Sequence, residues 1–157
     1  MSRHKNRNPR PVVAIVASAA LLMSVAAYAN EACLLTPQQL QTLTGRTFAE
    51  GQASRNPGDG SPLCHYAEQT NPQRKLTIGV SSTNAKQQFD SRLRMLQMGG
   101  KSIELEGVGD RAYYNGTAAG VLAGSKLIAI SNLRRASDPK IESDKVIAAL
   151  RAALQKQ

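Results

Sequence analysis

The sequence predicts an α+β fold in a single domain, in which a mainly antiparallel sheet packs with helices. Three observations lead to this class. Several short segments alternate apolar and polar residues, as strands with one buried face do. Only a few turn residues separate most of these segments, which favours antiparallel neighbours. Amphipathic segments with capping residues lie before, between and after them, so that the expected order is α-β-β-α-β-β-β-β-α.

The first element is a short helix that begins after Thr36. Thr36 suits the N-cap, Pro37 suits the first helical position, and Gln39 completes a capping box. Gly45 is expected to end the helix. Residues 46–62 are polar and rich in turn-forming residues, which predicts a long loop. Such a loop is either a solvated connection or a functional segment.

Two strands and an amphipathic helix follow. The strands are expected at 64–69 and 75–82, and the second alternates apolar with mainly polar residues. Asn84 is expected to cap the helix, and Gly99-Gly100 to end it. Its apolar stripe consists of Ala85, Phe89, Leu93 and Leu96.

The second half begins with a short strand and a tight corner. Ile103 and Leu105 are expected to point inward from a strand at 102–106. Residues 107–110 read Gly-Val-Gly-Asp, and Asp110 is expected to bond to backbone amides there. A phosphate-binding loop is the alternative for this motif. It would need a following helix, whereas the next residues predict a strand.

Two hairpins and a last helix complete the chain. Two-residue turns are expected at Asn115-Gly116 and Gly124-Ser125, and the apolar segment 127–130 suits a central strand. Asn115-Gly116-Thr117 also matches a glycosylation acceptor, although a turn accounts for it. Asp138 is expected to cap the last helix. The apolar face of that helix consists of Val146, Ile147, Leu150, Ala153 and Leu154.

Residues 1–29 have the three parts of a cleavable signal peptide. Four basic residues and no acidic residue lie at the start, and a weakly apolar stretch follows at 12–26. The small-x-small sequence 27–29 places the predicted cleavage between Ala29 and Asn30. A retained anchor is the alternative, but the stretch is shorter than the roughly 20 apolar residues that span a bilayer. We therefore expect a periplasmic or secreted protein.

The composition limits the size, the net charge and the cysteine chemistry of the predicted mature domain. Removal of residues 1–29 from 157 leaves 128 residues at 30–157, the size of one domain without a further membrane span. The net charge of +9 falls to +5, because the signal contains four of the 20 basic residues and none of the 11 acidic ones. Cys33 and Cys64 both remain, and an even pair in an oxidising compartment predicts a disulfide. A redox-active pair is the alternative, but the two cysteines lie far apart for that chemistry.

Several short motifs resemble those of small exported bacterial domains of unknown function, many of which are lipoproteins. The motifs are Cys-Leu-Leu-Thr-Pro at 33–37, Gly45, Cys-His-Tyr at 64–66 and Gly-Val-Gly-Asp-Arg-Ala-Tyr at 107–113. The resemblance implies an α/β sandwich with a bridge between Cys33 and Cys64. It implies no catalytic residue. The residues before Cys33 are too polar for a lipid-attachment signal, so lipidation is not expected.

The predicted mature domain offers little for catalysis or for metal binding. His65 is its only histidine, and its neighbour Cys64 is expected to be oxidised, so we predict no catalytic residue. A zinc site needs three or four ligands of the Cys, His or carboxylate type. Two oxygen-rich groups lack the dense ligand spacing of a calcium loop. They are Asn56 with Asp59, and Glu104, Glu106 with Asp110. No metal and no cofactor are therefore predicted.

The function predicted from these observations is non-enzymatic binding of a protein or another envelope component. Nucleic acid is not expected, because the basic clusters lack interspersed aromatic residues. Tyr113 and Tyr114 should point to opposite faces, which leaves one of the rings available at the surface. The predicted contact residues are Arg55, Asp59, His65 and Tyr113. A small envelope enzyme that uses the 46–62 loop with His65, and an inhibitor or immunity-type protein, remain alternatives.

Overall fold

The computed structural model describes residues 30–99 and 103–157. These residues form one sheet with helices packed on both of its faces. After a 3₁₀ turn at Asn30–Ala32, the helices are α1 (Pro37–Thr44), α2 (Ala85–Met98) and α3 (Ser143–Leu154). The strands are β1 (Gln52–Arg55), β2 (Pro62–Ala67), β3 (Lys75–Ser81), β4 (Ile103–Leu105), β5 (Arg111–Tyr114), β6 (Ala119–Ala123) and β7 (Lys126–Ser131). The α+β class and the predicted order of elements are confirmed, and β1 is an additional strand.

All seven strands belong to one antiparallel sheet, in the order β1-β2-β3-β7-β6-β5-β4. The apolar strand β7 lies at its centre, as predicted. The register places one row of residues side by side across five strands: Leu63, Gly79, Ala129, Gly120 and Tyr113. Because neighbours across a sheet share a face, this row lies on one side of it.

Helices α1 and α3 cover one face of the sheet and enclose the main core with it. Leu40 and Leu43 of α1 and Val146 and Leu150 of α3 are buried there. The strand residues of this core include Tyr66, Leu76, Ile78, Ala112, Tyr114, Val121, Ile128 and Ile130. Burial of this many large apolar side chains is the main source of stability.

Helix α2 covers part of the opposite face with a smaller apolar cluster. Its stripe is confirmed, since Ala85, Phe89 and Leu93 are buried and Leu96 is partly buried. The cluster also contains Tyr113, Leu122 and Leu127 of β5, β6 and β7. Helix α2 therefore packs over the half of the sheet that runs from β7 towards β4.

The predicted disulfide is confirmed. The sulfur atoms of Cys33 and Cys64 are 2.05 Å apart, and the bond joins the segment before α1 to β2. The hydroxyl of Tyr66 donates to the carbonyl of Leu35 at 2.7 Å and ties the same two segments together. The predicted capping box at Thr36 is also present in full.

The prediction of a loop throughout 46–62 is wrong for its central part. Strand β1 pairs with β2 along its whole length, from Gln52 opposite His65 to Arg55 opposite Pro62. A tight turn at 56–61 joins the two strands. The pattern did not reveal β1 because an edge strand with two polar ends carries no apolar alternation.

Two of the predicted helix starts differ from the structure. Helix α3 begins at Ser143 rather than after Asp138, whose carboxylate instead accepts hydrogen bonds from the Arg135 side chain and backbone. Asn84 does precede α2, but it has a left-handed backbone with φ of 52° and no capping side-chain bond. The local pattern could not show that Asp138 has an arginine partner.

Two further details at strand ends are also corrected. The turn at Asn115-Gly116 spans four residues, because the Asn115 side chain accepts hydrogen bonds from the Thr117 and Ala118 amides. The two-residue turn at Gly124-Ser125 is confirmed by its flanking pair. Ile103 is 48% exposed, since β4 is an edge strand and only Leu105 reaches the core.

The predicted signal peptide, with its cleavage site at Ala29, lies outside the described residues. Asn30 is the first residue that the structure describes. Among helices within 30–99 and 103–157, none has the length and apolar character needed to cross a membrane.

Candidate functional site

The second face of the sheet is covered only in part, and its uncovered portion is the candidate site. On that face, β2 and β3 present Leu63, His65, Thr77 and Gly79, all of which are half-buried. Leu63 lies opposite Gly79, and His65 lies opposite Thr77. We call these four residues the open surface. It has a small apolar end at Leu63 and a polar end at His65.

The turn between β1 and β2 borders the open surface and is held by short internal hydrogen bonds. The Asp59 carboxylate accepts from the amide and the hydroxyl of Ser61, at 3.0 and 2.7 Å. Asn56 accepts from the amide of Gly58 at 3.0 Å. Arg55 donates to the carbonyl of Gly60 at 2.8 Å. The turn is thus well defined in shape, although its residues are mostly exposed.

Arg92 of α2 lies on the other side of the open surface and faces Asp59. A cavity of about 50 Å³ separates the turn, the sheet and α2, and Leu63, Gln88 and Arg92 are among its lining residues. The hydrogen bonds from Ser61 lower the pKa of Asp59, and the positive charge of Arg92 lowers it further. The site therefore carries one carboxylate and one guanidinium on opposite rims.

His65 lies at the polar end of the open surface. Its Nδ1 is 2.9 Å from the hydroxyl of Thr77 in the neighbouring strand. Within the part of the chain that the structure describes, no carboxylate forms a hydrogen bond or ion pair with this imidazole. Such an arrangement can donate or accept hydrogen bonds to a partner.

The expectation that one of the two neighbouring tyrosine rings is exposed is wrong. Tyr113 is buried beneath α2, with its ring centroid 5.5 Å from that of Phe89. Burial raises the pKa of Tyr113, and Arg92 counteracts this rise in part. Tyr114 is buried on the other face and donates to the carbonyl of Ile141 at 3.3 Å. Helices on both faces of the sheet cover both rings.

The structure brings only two of the four predicted contact residues to the open surface. Asp59 borders it and His65 belongs to it. Arg55 lies on the opposite face. It pairs with Pro62, which is three residues from His65 along β2, and successive residues of a strand alternate between the two faces. Tyr113 is covered by α2. Thr77 and Arg92 were not predicted as contact residues. The sequence contains no signal for Thr77, and the signal for Arg92 is its place in a basic cluster with Arg94.

A buried ionic cluster was also not predicted. Glu68 is only 2% exposed, and its carboxylate accepts a hydrogen bond from Nη1 of Arg46 at 2.5 Å. The same guanidinium donates to the carbonyl of Leu133 and lies over the ring of Phe48 at 5.3 Å. Nη1 of Arg135 is 3.7 Å from the other Glu68 oxygen. The cluster fastens the segment between β7 and α3 to the sheet.

Three of the acidic residues weighed as metal ligands, Asp59, Glu104 and Asp110, accept hydrogen bonds from other protein groups. Glu104 accepts from Arg111 at 2.7 Å, and Asp110 accepts from the amide of Gly124 at 2.6 Å. Asp110 thus bonds to a backbone amide, but that amide lies in the turn between β6 and β7 rather than in the predicted corner at 107–110. Among the residues that the structure describes, no three side chains of the His, Cys, Asp or Glu type are grouped for a metal ion.

A comparison of this chain with models of protein families, with curated proteins and with solved structures finds no match.

Proposed function

We propose that this chain is an exported, non-enzymatic binding domain whose open surface contacts a protein or another component of the cell envelope. The observation that carries the proposal is the incomplete cover of the sheet: α2 packs over one half of a face and leaves Leu63, His65, Thr77 and Gly79 accessible. The disulfide is compatible with an oxidising compartment. The signal-like residues 1–29 support export.

The geometry around His65 favours binding over the enzymatic alternative. General acid–base or nucleophilic catalysis needs a second group that orients or activates the imidazole. Here the partner is the hydroxyl of Thr77. The two strands present a fixed surface with hydrogen-bonding groups at one end and an apolar group at the other, and such a surface suits partner recognition.

The export part of the proposal is tested by the mass of the protein recovered from outside the cytoplasm. A chain that starts at Asn30 supports the predicted cleavage. A full-length chain that stays with the cytoplasmic membrane contradicts it.

The binding part is tested with two matched variants of the exported protein. Thr77→Arg adds a bulky charged side chain in the middle of the open surface, whereas Gln38→Arg adds the same side chain on the exposed side of α1. Immobilised wild-type protein and Gln38→Arg should retain the same envelope component, and Thr77→Arg should lose it. Retention by all three proteins would overturn the assignment of the surface.

The variant His65→Ala distinguishes the enzymatic alternative from the proposed binding role. If the protein turns over a substrate and this variant abolishes the turnover, the proposal of a non-enzymatic domain fails. If the retained component is an enzyme that the domain blocks stoichiometrically, the inhibitor alternative replaces a general binding role.

A further inference from the structure

The outward side of α2 combines exposed apolar and basic side chains. In the described part of the chain, the exposed large apolar residues are Met95, Met98 and Ile103, and the two methionines are 61% and 82% exposed. At 3.6 residues per turn, Met95 and Met98 lie next to each other on the side of α2 that faces away from the sheet.

Two arginines flank these methionines. Arg94 lies on one side of the pair and Arg92 on the other, and both are exposed. In the described ranges, neither forms an ion pair with a carboxylate, whereas Arg111 and Lys86 both pair with Asp90. Asp90 is the one acidic residue of α2. Among the described residues, Arg94 faces no carboxylate, whereas Arg92 also faces Asp59 across the small cavity beside the sheet. The outer side of the helix therefore presents a net positive charge, most of it from Arg94.

We propose that this surface, Arg92, Arg94, Met95 and Met98, docks the domain on an anionic lipid bilayer. A helix that lies in the plane of a membrane places apolar side chains below the head groups and basic side chains beside the phosphates. Long arginine side chains reach the phosphates while their aliphatic parts stay near the apolar region. The two thioether side chains are unbranched and flexible, and they enter this region without a shaped pocket.

A lipid surface fits these observations better than a protein partner does. Stable protein interfaces bury about 800 Å² on each side and centre on packed aromatic or arginine anchors in pockets. Here the apolar part is two flexible side chains on a convex helix, without an aromatic residue among them. A bilayer needs no complementary shape, and its negative charge matches the two arginines.

The proposal is tested by sedimentation of the exported protein with lipid vesicles. The wild type should bind phosphatidylglycerol-containing vesicles, and it should bind pure phosphatidylcholine vesicles much less. Binding should weaken with added salt because surface charges are screened. Arg94→Gln should lower the partition coefficient by about fivefold. The further change Arg92→Gln should lower it again by a smaller factor, because Arg92 also faces Asp59. Met95→Ser/Met98→Ser should lower it by about fivefold or more through loss of apolar insertion.

The controls test whether reduced vesicle binding comes from a change in total charge, from the open surface or from loss of the fold. Lys140→Gln/Lys145→Gln removes the same charge from exposed positions near and on α3 and should leave binding within about twofold of wild type. His65→Ala alters only the open surface and should also leave it unchanged. Circular dichroism verifies that each variant is folded.

Any of four outcomes would overturn the proposal. One is no binding of the wild type to anionic vesicles at low salt. Another is equal binding by wild type and the methionine variant, or an equal loss in the lysine control. The last is a purified protein partner that binds in a way that depends on Met95 and Met98, while the domain does not bind to anionic vesicles.

Discussion

Replacement of Glu68 by glutamine removes the buried negative charge of the ionic cluster and keeps the size of the side chain. Arg46 would then retain its hydrogen bonds to backbone carbonyls but lose the carboxylate at 2.5 Å. Loss of one partner from a buried ion pair costs about 3–5 kcal/mol. Because Asp138 remains 3.9 Å from Nε of Arg46, we expect the lower end of that range.

Urea denaturation measures this cost. With a slope of about 2 kcal/mol per molar urea, a loss of about 3 kcal/mol lowers the midpoint by about 1.5 M. Glu104→Gln is the matched control, since Glu104 is 55% exposed and its pair with Arg111 has a similar geometry. That pair should contribute about 1 kcal/mol or less.

The comparison of the two variants decides whether the cluster stabilises the fold. Equal midpoints for Glu68→Gln and Glu104→Gln would refute the reasoning. Glu68→Gln combined with Arg46→Met should be less unstable than the sum of the single changes, because no buried charge is left without its partner.

The remaining predictions concern the disulfide, one glycine and one tyrosine. Cys33→Ala/Cys64→Ala should lower the free energy of unfolding by about 3–4 kcal/mol, because it opens a loop with a sequence separation of 31 residues, and unchanged denaturation would contradict this. Gly109→Ala should cost about 2 kcal/mol more than Gly124→Ala. Both glycines have positive φ, but only at Gly109 would the new Cβ meet a side chain, at 2.4 Å, and equal thermal midpoints would show that the clash is absent. Burial raises the pKa of Tyr66 from 10.0 to about 12. The stability that its neutral phenol provides should therefore be complete below pH 10 and lost as the pH rises through 12. Tyr66→Phe should remove the highest step of an ultraviolet titration, and a folded wild type whose phenols all ionise near pH 10 would contradict the assignment.

Local sequence patterns predicted those parts of the fold that depend on near neighbours. The capping box at Thr36 and the stripe around Phe89 are formed by residues a few positions apart, so the pattern contains all their partners. The disulfide was predictable because only two cysteines are present in the described domain. The short turns likewise predicted an antiparallel sheet.

Other parts depend on residues distant in the chain. Strand β1 is stabilised by its pairing with β2 and has no apolar alternation of its own. Asp138 pairs with Arg135 rather than capping a helix, and Glu68 is buried only because Arg46 reaches it from another segment. Single-sequence patterns contain no information about such pairs.

The candidate site was predictable only in outline. His65 and Asp59 were selected as chemically distinct residues, and both lie at the open surface. The sequence could not show that α2 would cover Tyr113 and leave Thr77 uncovered, because that depends on how far the helix extends over the sheet.

The open surface is tested most directly by photocross-linking in the cells that produce the protein. A photoreactive amino acid at position 77 lies within the open surface, and the same group at position 38 lies on the outer side of α1. If the open surface binds a partner, position 77 should give one discrete cross-linked partner and position 38 should give none. Equal cross-linking from both positions, or a partner only from position 38, would contradict the proposed role of the open surface.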